Sequence, residues 1–415
     1  MLIEFTVGNF KSFRDKTTFS MIAANLTSSD PALDLDNVIP VKKDLRLLKS
    51  AAVYGANASG KSNLGLALAF MRRFVLDSAR EEHLPPDFGL EPFLLDREGR
   101  DNPSFFEMIF LLGGVQYRYG FEVDQSRVLC EWLFHVPKVK EIALFTREEQ
   151  EIVARAGFKK GRTLDSKTRP EALYLSVVAL LDGMIFRQVQ KWFESFAITT
   201  GLQDGESLTE TLQRWRDPKQ KQRIIELIQG LDLGIDGFIS DDQSITAIHH
   251  QQTTPRGGVR LFSLDIEKHA SQGTRKLIAM AGPLFGVLAD GQVMFIDELD
   301  ARLHPLMTRR IIELFHSPLT NPKGAQLIFA THDTNLLDKS LFRRDQIWFA
   351  EKDQEGATHL ASLAEYRVRN DAAFEKNYLE GRYGAIPFLG DLTRLPWAQG
   401  QETLEEGAER EPTLA

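Results

Sequence analysis

Short apolar runs bounded by small or polar residues alternate with stretches of helical spacing in the first eighty residues. Three of these runs predict strands: residues 2–7 (LIEFTV), 17–23 (TTFSMIA) and 51–54 (AAVY). After the third run, apolar residues recur at helical spacing: Leu64, Leu68, Met71 and Val75. We therefore expect a buried strand, a turn of small residues and a helix that begins near Lys61.

The pattern changes twice along the rest of the chain. Residues 104–124 alternate and turn at Gly113-Gly114, which predicts a hairpin. From about 126 to 235 the spacing becomes helical and charge-rich. Buried-strand runs then return, separated by helical stretches: 292–296, 325–330 and 346–350. This order predicts an α/β fold interrupted by a helical lobe.

Composition and charge are those of an ordinary soluble globular protein. The 415 residues are 43% hydrophobic and carry a net charge of −8, which argues against binding nucleic acid through bulk charge. The single cysteine, Cys130, allows no intramolecular disulfide and indicates a reducing compartment. Because we find neither a signal-peptide pattern nor an apolar run long enough to span a bilayer, we expect a cytoplasmic protein with no membrane contact.

The turn after the third apolar run matches the phosphate-binding loop pattern at every fixed position. Gly55 is followed by four residues and then by Gly60-Lys61-Ser62. Strand, glycine-containing turn and helix are the context that the motif requires, because backbone N–H groups and the helix N-terminus would then surround the phosphates. The candidate nucleotide-binding residues are Gly55, Asn57, Ser59, Gly60, Lys61, Ser62 and Asn63. The loop alone leaves kinase, GTPase, AAA-type motor and ABC-type ATPase open.

A pair of carboxylates narrows this choice. The apolar run 292–296 ends in Asp297-Glu298, which places both acids at the carboxyl edge of a sheet, where ligands gather. Asp297 can hold Mg²⁺ together with the Ser62 hydroxyl. Glu298 is then placed to act as the general base toward the attacking water. The alternative is that the two acids only cap the next helix.

Two further segments are ambiguous when each is taken alone. Ser271 and Gly273 lie in a Ser-x-Gly segment just before an apolar helix, which is typical of an N-cap followed by a turn. The same segment presents a hydroxyl, backbone N–H groups and the positive end of a helix dipole. His332 follows the buried run 325–330, where an imidazole could bond the γ-phosphate or the attacking water.

The order of these pieces is more specific than any one of them. Phosphate loop, Ser-x-Gly segment, carboxylate strand and histidine together resemble the ABC-type ATPases of the SMC, RecF and OLD group. Three segments resemble most closely the AAA-15/AAA-21 ATPases, which include RloA-like proteins and the AriA ATPase of PARIS-type antiphage systems: 7–13 (VGNFKSF), 297–305 (DELDARLHP) and 378–389 (YLEGRYGAIPFL).

This resemblance implies an ABC-type P-loop ATPase head with a mixed sheet core and an inserted helical lobe, which binds ATP and Mg²⁺. In such proteins the signature contacts the γ-phosphate of a nucleotide held by a second protomer. Ser271 and Gly273 would make that contact here, which implies a homodimer or a higher homo-oligomer. His332 would be the switch histidine, and Asp300 occupies the position of the D-loop that meets the opposite protomer.

The chain departs from the ABC pattern at the signature and the Q-loop. Ala270 stands where ABC transporters usually have leucine, and Gln272 occupies the middle position of the signature. No glutamine is assigned to the Q-loop, because Gln116 lies in the predicted hairpin and reads as a strand residue.

The resemblance also predicts how the chain is divided. Residues 1–125 would carry the phosphate loop and 126–235 the helical insertion lobe. Residues 236–395 would hold the signature, the carboxylate strand, the D-loop and the histidine. The acidic segment 396–415 contains proline and glycine and is expected to be a disordered tail.

Two spacings bear on which member of the group this is. Lys61 and Ser271 are 210 residues apart, which excludes the long heptad-patterned arm of SMC proteins. Only 83 residues follow His332, and they contain no compact carboxylate cluster of the kind found in the Toprim nuclease domain of OLD proteins. We therefore expect an ATPase without a nuclease of its own.

Three hypotheses follow for its role. The preferred one is a defence ATPase of the abortive-infection type that senses a phage trigger protein and controls a separately encoded Toprim or RloB-like nuclease. The second is a RecF-like ATPase that binds DNA directly in repair. The third, a scaffold that binds ATP without hydrolysing it, is disfavoured by Glu298. Direct nucleic-acid binding stays open, because the loose basic region can be a solvated face or a contact surface: Lys138, Lys140, Lys159, Lys160 and Arg162.

Overall fold

Two large sheets, two small ones (β12-β13-β14 and β3-β4 in the numbering below) and the helices packed on them make up the structure, a computed structural model that describes residues 1–80, 89–96, 99–154, 168–181, 184–231, 235, 237–240, 245–253, 259–369 and 372–387. The strands are β1 Leu2–Gly8, β2 Thr17–Ser20, β3 Val38–Lys42, β4 Leu45–Leu48, β5 Ser50–Tyr54, β6 Ser104–Leu112, β7 Val115–Val123, β8 Val128–Val136, β9 Ile142–Glu148, β10 Glu151–Ala154, β11 Ala197–Thr200, β12 Gly237–Ser240, β13 Ile245–Thr253, β14 Val259–Asp265, β15 Val293–Asp297, β16 Gln326–Ala330, β17 Ile347–Lys352 and β18 Thr358–Ser362.

The helices are α1 Pro31–Asp36, α2 Lys61–Asp77, α3 Tyr174–Leu180, α4 Met184–Glu194, α5 Gly205–Trp215, α6 Pro218–Gly230, α7 Ile266–His269, α8 Gln272–Asp290, α9 Pro305–His316 and α10 Phe374–Leu379. Short 3₁₀ turns cover Thr334–Leu336, Arg344–Gln346 and Leu363–Glu365. Within the described ranges, no helix combines the length and the apolar character needed to cross a membrane.

A six-stranded sheet carries the predicted nucleotide elements. Its order is β11-β15-β16-β5-β17-β18, and every pairing is parallel except the antiparallel β17–β18 edge. β5 is fully buried, as its apolar run predicts. Because β5, β15 and β16 run in the same direction, the loop after Tyr54, the acid Asp297 and the residues after Ala330 all lie at one edge of the sheet.

Helix α2 lies between this sheet and a second one. The second sheet is antiparallel, with seven strands in the order β10-β9-β8-β7-β6-β1-β2. One hydrophobic core joins its inner face to α2 and to one face of β5, which contributes Ala51 and Val53. The other face of β5, with Ala52 and Tyr54, packs in a second core with α8 and α9. Alternation along one short strand thus links both cores.

Most of the predicted elements are confirmed. The opening strand pair is β1–β2, and the predicted hairpin is β6–β7, with Gln116 in β7. The helix behind the phosphate loop begins at Lys61, and the three late apolar runs are β15, β16 and β17. The mixed α/β fold class is therefore confirmed.

The prediction of a helical lobe over residues 126–235 is wrong in its first part. Residues 128–154 form strands β8, β9 and β10, and helices begin only at Tyr174. The pairing registers shift between Glu122 and Val123 and between Leu133 and Phe134. Such a shift interrupts the alternation of inward and outward positions, so the run loses the period of two that identifies a strand. The predicted tail 396–415 and the basic residues Lys159, Lys160 and Arg162 lie outside the described residues.

Candidate nucleotide-binding site

The phosphate loop joins buried strand β5 to helix α2, and its backbone conformation depends on small residues. Gly60 is the N-cap of α2 with a φ of +105°, and Ala58 has a φ of +62°. A Cβ atom on Gly60 would lie 2.1 Å from the Thr358 hydroxyl oxygen, so a larger residue is excluded by contact as well as by backbone conformation. The Asn63 N–H bonds to the Gly60 carbonyl at 3.0 Å, whereas the N–H groups of Lys61 and Ser62 have no partner among the described residues.

Lys61 is buried beneath the loop and is held by backbone. Its ammonium donates to the carbonyls of Gly55 at 2.8 Å and Ala56 at 2.9 Å. Burial lowers the pKa of Lys61 to about 8, while the charges of Asp297, Glu298 and Asp300 act in the opposite direction. Lys61 therefore interacts electrostatically with three acids, although no hydrogen bond among the described residues joins it to any of them. A ligand phosphate could replace its carbonyl partners.

Asp297 ends β15, and one of its oxygens has no partner. Oδ1 is buried and makes no hydrogen bond within the described part of the chain. A buried carboxylate oxygen without a partner is costly, so such an atom points to a missing ligand. Mg²⁺ is typically bound by one or two carboxylates together with substrate phosphates and water, and Ser62 at the start of α2 is exposed and adds a hydroxyl. The residues present fit a magnesium nucleotide.

Glu298 turns the chain sharply after the strand. Its φ is +52°, which is uncommon for a residue with a side chain. Strained backbone of this kind concentrates at functional sites, where it directs a side chain that the regular strand would send elsewhere. The role of Glu298 as general base remains a prediction.

Asp300 and His332 meet across the same edge. The backbone N–H of His332 lies 3.4 Å from each carboxylate oxygen of Asp300. Burial and then the charge of Lys61 lower the pKa of His332, while Asp300, Glu298 and Asp297 raise it. The net direction is downward, so His332 is neutral at pH 7. The structure thus brings the lysine, the three acids and the histidine of the sequence prediction into one electrostatic group.

Ser271 and Gly273 lie at the start of α8, beside the segment that follows Asp300. Ser271 is the exposed N-cap of α8, where its Oγ accepts from the Thr274 N–H at 3.1 Å. A Cβ atom on Gly273 would lie 2.7 Å from the carbonyl oxygen of Arg302, so glycine allows the helix to approach the segment after Asp300. Among the described residues, no hydrogen bond joins Ser271 or Gly273 to the phosphate loop of the same chain. Their contact with nucleotide remains a prediction.

The other predicted loop residues differ in environment. Asn57 is exposed, and Ser59 is buried with a hydroxyl that lacks a partner among the described residues. Asn63 is directed elsewhere, because its Nδ2 donates to the Ser12 Oγ at 2.6 Å. Asn63 therefore connects α2 to the loop after β1 in this structure.

The sequence did not predict two hydrogen-bond contacts of Thr358 that support the phosphate loop, which we call the brace. The Thr358 Oγ1 lies 2.8 Å from the Ser59 carbonyl oxygen and 2.7 Å from the Ser12 Oγ. Both hydroxyl residues are buried. Ser12 lies within the segment 7–13 (VGNFKSF), which indicated a family resemblance but no role for the serine. Thr358 belongs to no motif.

A buried lysine in α8 was also missed. Lys276 donates to the carbonyls of Leu299 at 2.8 Å and Ala301 at 2.6 Å. Burial lowers its pKa to about 8, partly offset by Asp300. It ties α8 to the backbone around Asp300. Its place directly before the apolar run 277–289 is the signal that could have identified it.

Comparisons with known proteins give a similarity to a solved structure and a family match. The SMC head domain from Thermotoga maritima is 14% identical, with 87% of this chain and 98% of that chain covered at a TM-score of 0.42. No curated protein matches the chain. Residues 50–338, which include the phosphate loop, the carboxylate strand and His332, match the model of the AAA-21 family, described as "AAA domain, putative AbiEii toxin, Type IV TA system". The chain therefore belongs to this family of AAA-type ATPases.

Proposed function

We propose that the protein binds ATP with Mg²⁺ at the phosphate loop, hydrolyses it, and uses the nucleotide state as a switch. The observation that carries this proposal is the buried, unpartnered oxygen of Asp297 at the sheet edge that also holds Lys61 and Glu298. The arrangement supplies a cation for phosphates, a carboxylate for a metal and a second carboxylate for water.

The roles follow from the chemistry of each group. Backbone N–H groups at the start of α2 and the Lys61 ammonium would hold the β- and γ-phosphates, after Lys61 leaves its carbonyl partners. Ser62 and Asp297 would hold Mg²⁺, which would neutralise charge on the phosphate oxygens. Glu298 would accept the proton of the attacking water. Neutral His332 would donate one N–H toward the γ-phosphate or the water.

We further propose that two protomers enclose the nucleotide. Ser271 is exposed and makes no described hydrogen bond to its own phosphate loop, so its hydroxyl is available to a second copy. Each site would then combine the loop of one protomer with Ser271 and Gly273 of the other, in a homodimer or a larger homo-oligomer. Hydrolysis would separate the pair.

The proposed biological role is an antiphage switch of the RloA-like or AriA kind. The ATPase would respond to a phage trigger protein and control a separately encoded Toprim or RloB-like nuclease. The family description, which names a putative toxin and a toxin–antitoxin system, supports a defence context. The resemblance of the 378–389 segment to the AAA-15/AAA-21 ATPases supports the finer assignment.

Purified wild-type protein, Lys61→Ala and Glu298→Gln test the chemistry. Lys61→Ala should lose ATP binding, because no other cation is held beneath the loop in the described structure. Glu298→Gln should bind ATP with near wild-type affinity and hydrolyse it about 10²–10⁴-fold more slowly, since the amide cannot accept a proton. Equal loss of nucleotide binding in Asp297→Asn and Glu298→Gln would contradict the separate roles of metal ligand and base.

The biological role needs a second experiment. Co-expression with the neighbouring gene should give a stable complex, and phage-induced toxicity should need both genes and an intact Lys61. A salt-dependent titration with DNA separates this role from RecF-like repair, because direct phosphate contacts make affinity fall steeply with salt. Tight DNA binding without any genetic dependence on a neighbour would favour the repair role.

A further inference from the structure

A segment near the C-terminal end of the described chain forms one wall of a cleft at the phosphate loop. This segment, residues 374–387, contains α10 and the turn after it, and we call it the C-terminal wall. The cleft has a volume of about 720 Å³. Residues 55–59 and His332 line one side, and the C-terminal wall contributes the other with Tyr378, Leu379, Ala385, Ile386 and Pro387.

Aromatic stacking holds this wall against the sheet. Tyr378 and Tyr383 each have ring centroids 5.4 Å from Phe349 of β17, at interplanar angles of 12° and 25°. Tyr54, the last residue before the phosphate loop, lies 6.0 Å from Tyr378. The Tyr378 hydroxyl also donates to the Ala385 carbonyl at 3.0 Å. The wall is therefore fixed to β17 and to the end of β5, the strand that precedes the phosphate loop.

A side-chain hydrogen bond connects the C-terminal wall to the 3₁₀ turn that follows His332. Thr334 Oγ1 donates to Glu375 Oε1 at 3.0 Å, and both residues are half-buried. Thr334 begins the 3₁₀ turn Thr334–Leu336, two residues after His332. A bond to a carboxylate is stronger than one between neutral groups, and partial burial shields it from water. His332 itself has a long backbone contact, 3.4 Å, to Asp300.

We propose that Glu375 is a positioning residue for ATP hydrolysis. Through its hydrogen bond to Thr334 it fixes the 3₁₀ turn that follows His332, and thereby the backbone at His332. The inference rests on the ATPase function proposed above. A fixed wall holds Glu375, Glu375 holds Thr334, and Thr334 sets the backbone from which the imidazole reaches the cleft. Displacing a catalytic group by about an ångström can cost up to 10²-fold in rate, so a loose turn should slow hydrolysis without releasing nucleotide.

Steady-state ATP hydrolysis by the full chain tests the hydrogen bond. Glu375→Ala and Thr334→Val should each lower kcat roughly 10-fold or more, with KM changed less than about 3-fold. Glu375→Gln and Thr334→Ser keep an acceptor and a hydroxyl and should retain most of the activity. The double variant Glu375→Ala/Thr334→Val should be no slower than either single variant, because both remove the same bond.

A second comparison separates positioning from general destabilisation. In a His332→Ala background, Glu375→Ala should cause no further loss of kcat. Glu380→Ala, at the end of the same helix, is the matched control and should leave kcat unchanged. Multiplicative losses in the His332→Ala background, or a KM effect as large as the kcat effect, would overturn the proposal. A wild-type chain that hydrolyses no ATP would instead overturn the proposed function, and wild-type rates in Glu375→Ala would remove the positioning role alone.

Discussion

Lys61 is the residue whose surroundings say most about how ATP would bind. Its partners in the described structure are two backbone carbonyls, which accept hydrogen bonds and neutralise no charge. Burial therefore prevails and lowers its pKa from the ordinary value of 10.5 to about 8. Below pH 8 the amine is mostly protonated, and above pH 8 it is mostly neutral. Phosphate oxygens would favour the protonated form and raise the pKa again.

ATP binding should therefore take up protons near pH 8. At that pH about half of the free protein carries a neutral Lys61, so binding should take up about half a proton per site, and affinity should fall as pH rises above 8. Calorimetric titrations in buffers of different ionisation enthalpy measure this uptake. Lys61→Arg is the control, because its guanidinium stays charged while Lys276, which also has a pKa of about 8, is retained. The same uptake in Lys61→Arg would assign the proton to another group.

Among the elements, the phosphate loop is held by segments distant in sequence. Each hydroxyl group can donate only one hydrogen bond. A single assignment of donors and acceptors accounts for every short contact beneath the loop. Asn63 donates to Ser12, Ser12 donates to Thr358, and Thr358 donates to the Ser59 carbonyl. This chain of hydrogen bonds connects α2, the loop after β1 and edge strand β18. The shape of the phosphate loop thus depends on three separate elements.

Thr358→Val should loosen the loop while keeping the shape of the side chain. It leaves the Ser59 carbonyl and the Ser12 hydroxyl without their buried partner, which should lower the free energy of unfolding by about 1–3 kcal/mol. ATP affinity should fall in parallel, because the loop is no longer pre-ordered. Denaturant unfolding and an ATP titration measure the two effects. Thr358→Ser retains the hydroxyl and should stay near wild type in both, and a larger effect from Thr358→Ser than from Thr358→Val would point to methyl packing instead.

The elements also show what the sequence could and could not predict. Strands β5, β15 and β16 were predictable because each is a short apolar run followed by a residue with an identifiable chemical role, such as Gly55, Asp297 or His332. Strand β8 was missed because the extra residue at Leu129 breaks its alternation. The bond between Thr334 and Glu375 joins residues 41 apart and leaves no local pattern. The candidate site residues could be predicted from local motifs. The contacts that support them depend on long-range packing, which no local motif indicates.

At the scale of the whole molecule, the phosphate loop and the predicted signature residue Ser271 lie at the starts of two different helices, α2 and α8. Ser271 caps α8 and makes no described hydrogen bond to the phosphate loop of its own chain, so a complete site needs a second copy if the proposed sandwich is correct. Ser271→Arg should leave ATP binding by single protomers intact and block ATP-driven association, because the longer cation would collide with the partner's loop. Light scattering with and without ATP measures this association.

Mixing two inactive variants gives a stricter test of the same arrangement. In a heterodimer of Ser271→Arg with Lys61→Ala, one of the two composite sites combines an intact loop with an intact signature. ATPase activity should therefore recover partly on mixing. Mixing Lys61→Ala with Lys61→Ala/Ser271→Arg is the control, because no intact loop is present in that mixture. Full activity of Ser271→Arg alone would remove the signature assignment.

The contact between Ser12 and Thr358 also has a consequence for how the protein is made. The two residues are 346 positions apart. Ribosomes add about 5–20 residues per second, so roughly 20 to 70 s separate the synthesis of one from the other. During that interval the nascent chain carries the complete phosphate-loop motif without its brace. We expect the chain to become able to grip ATP late in translation, and a message cut short before residue 358 to yield a product that has the motif and holds ATP poorly.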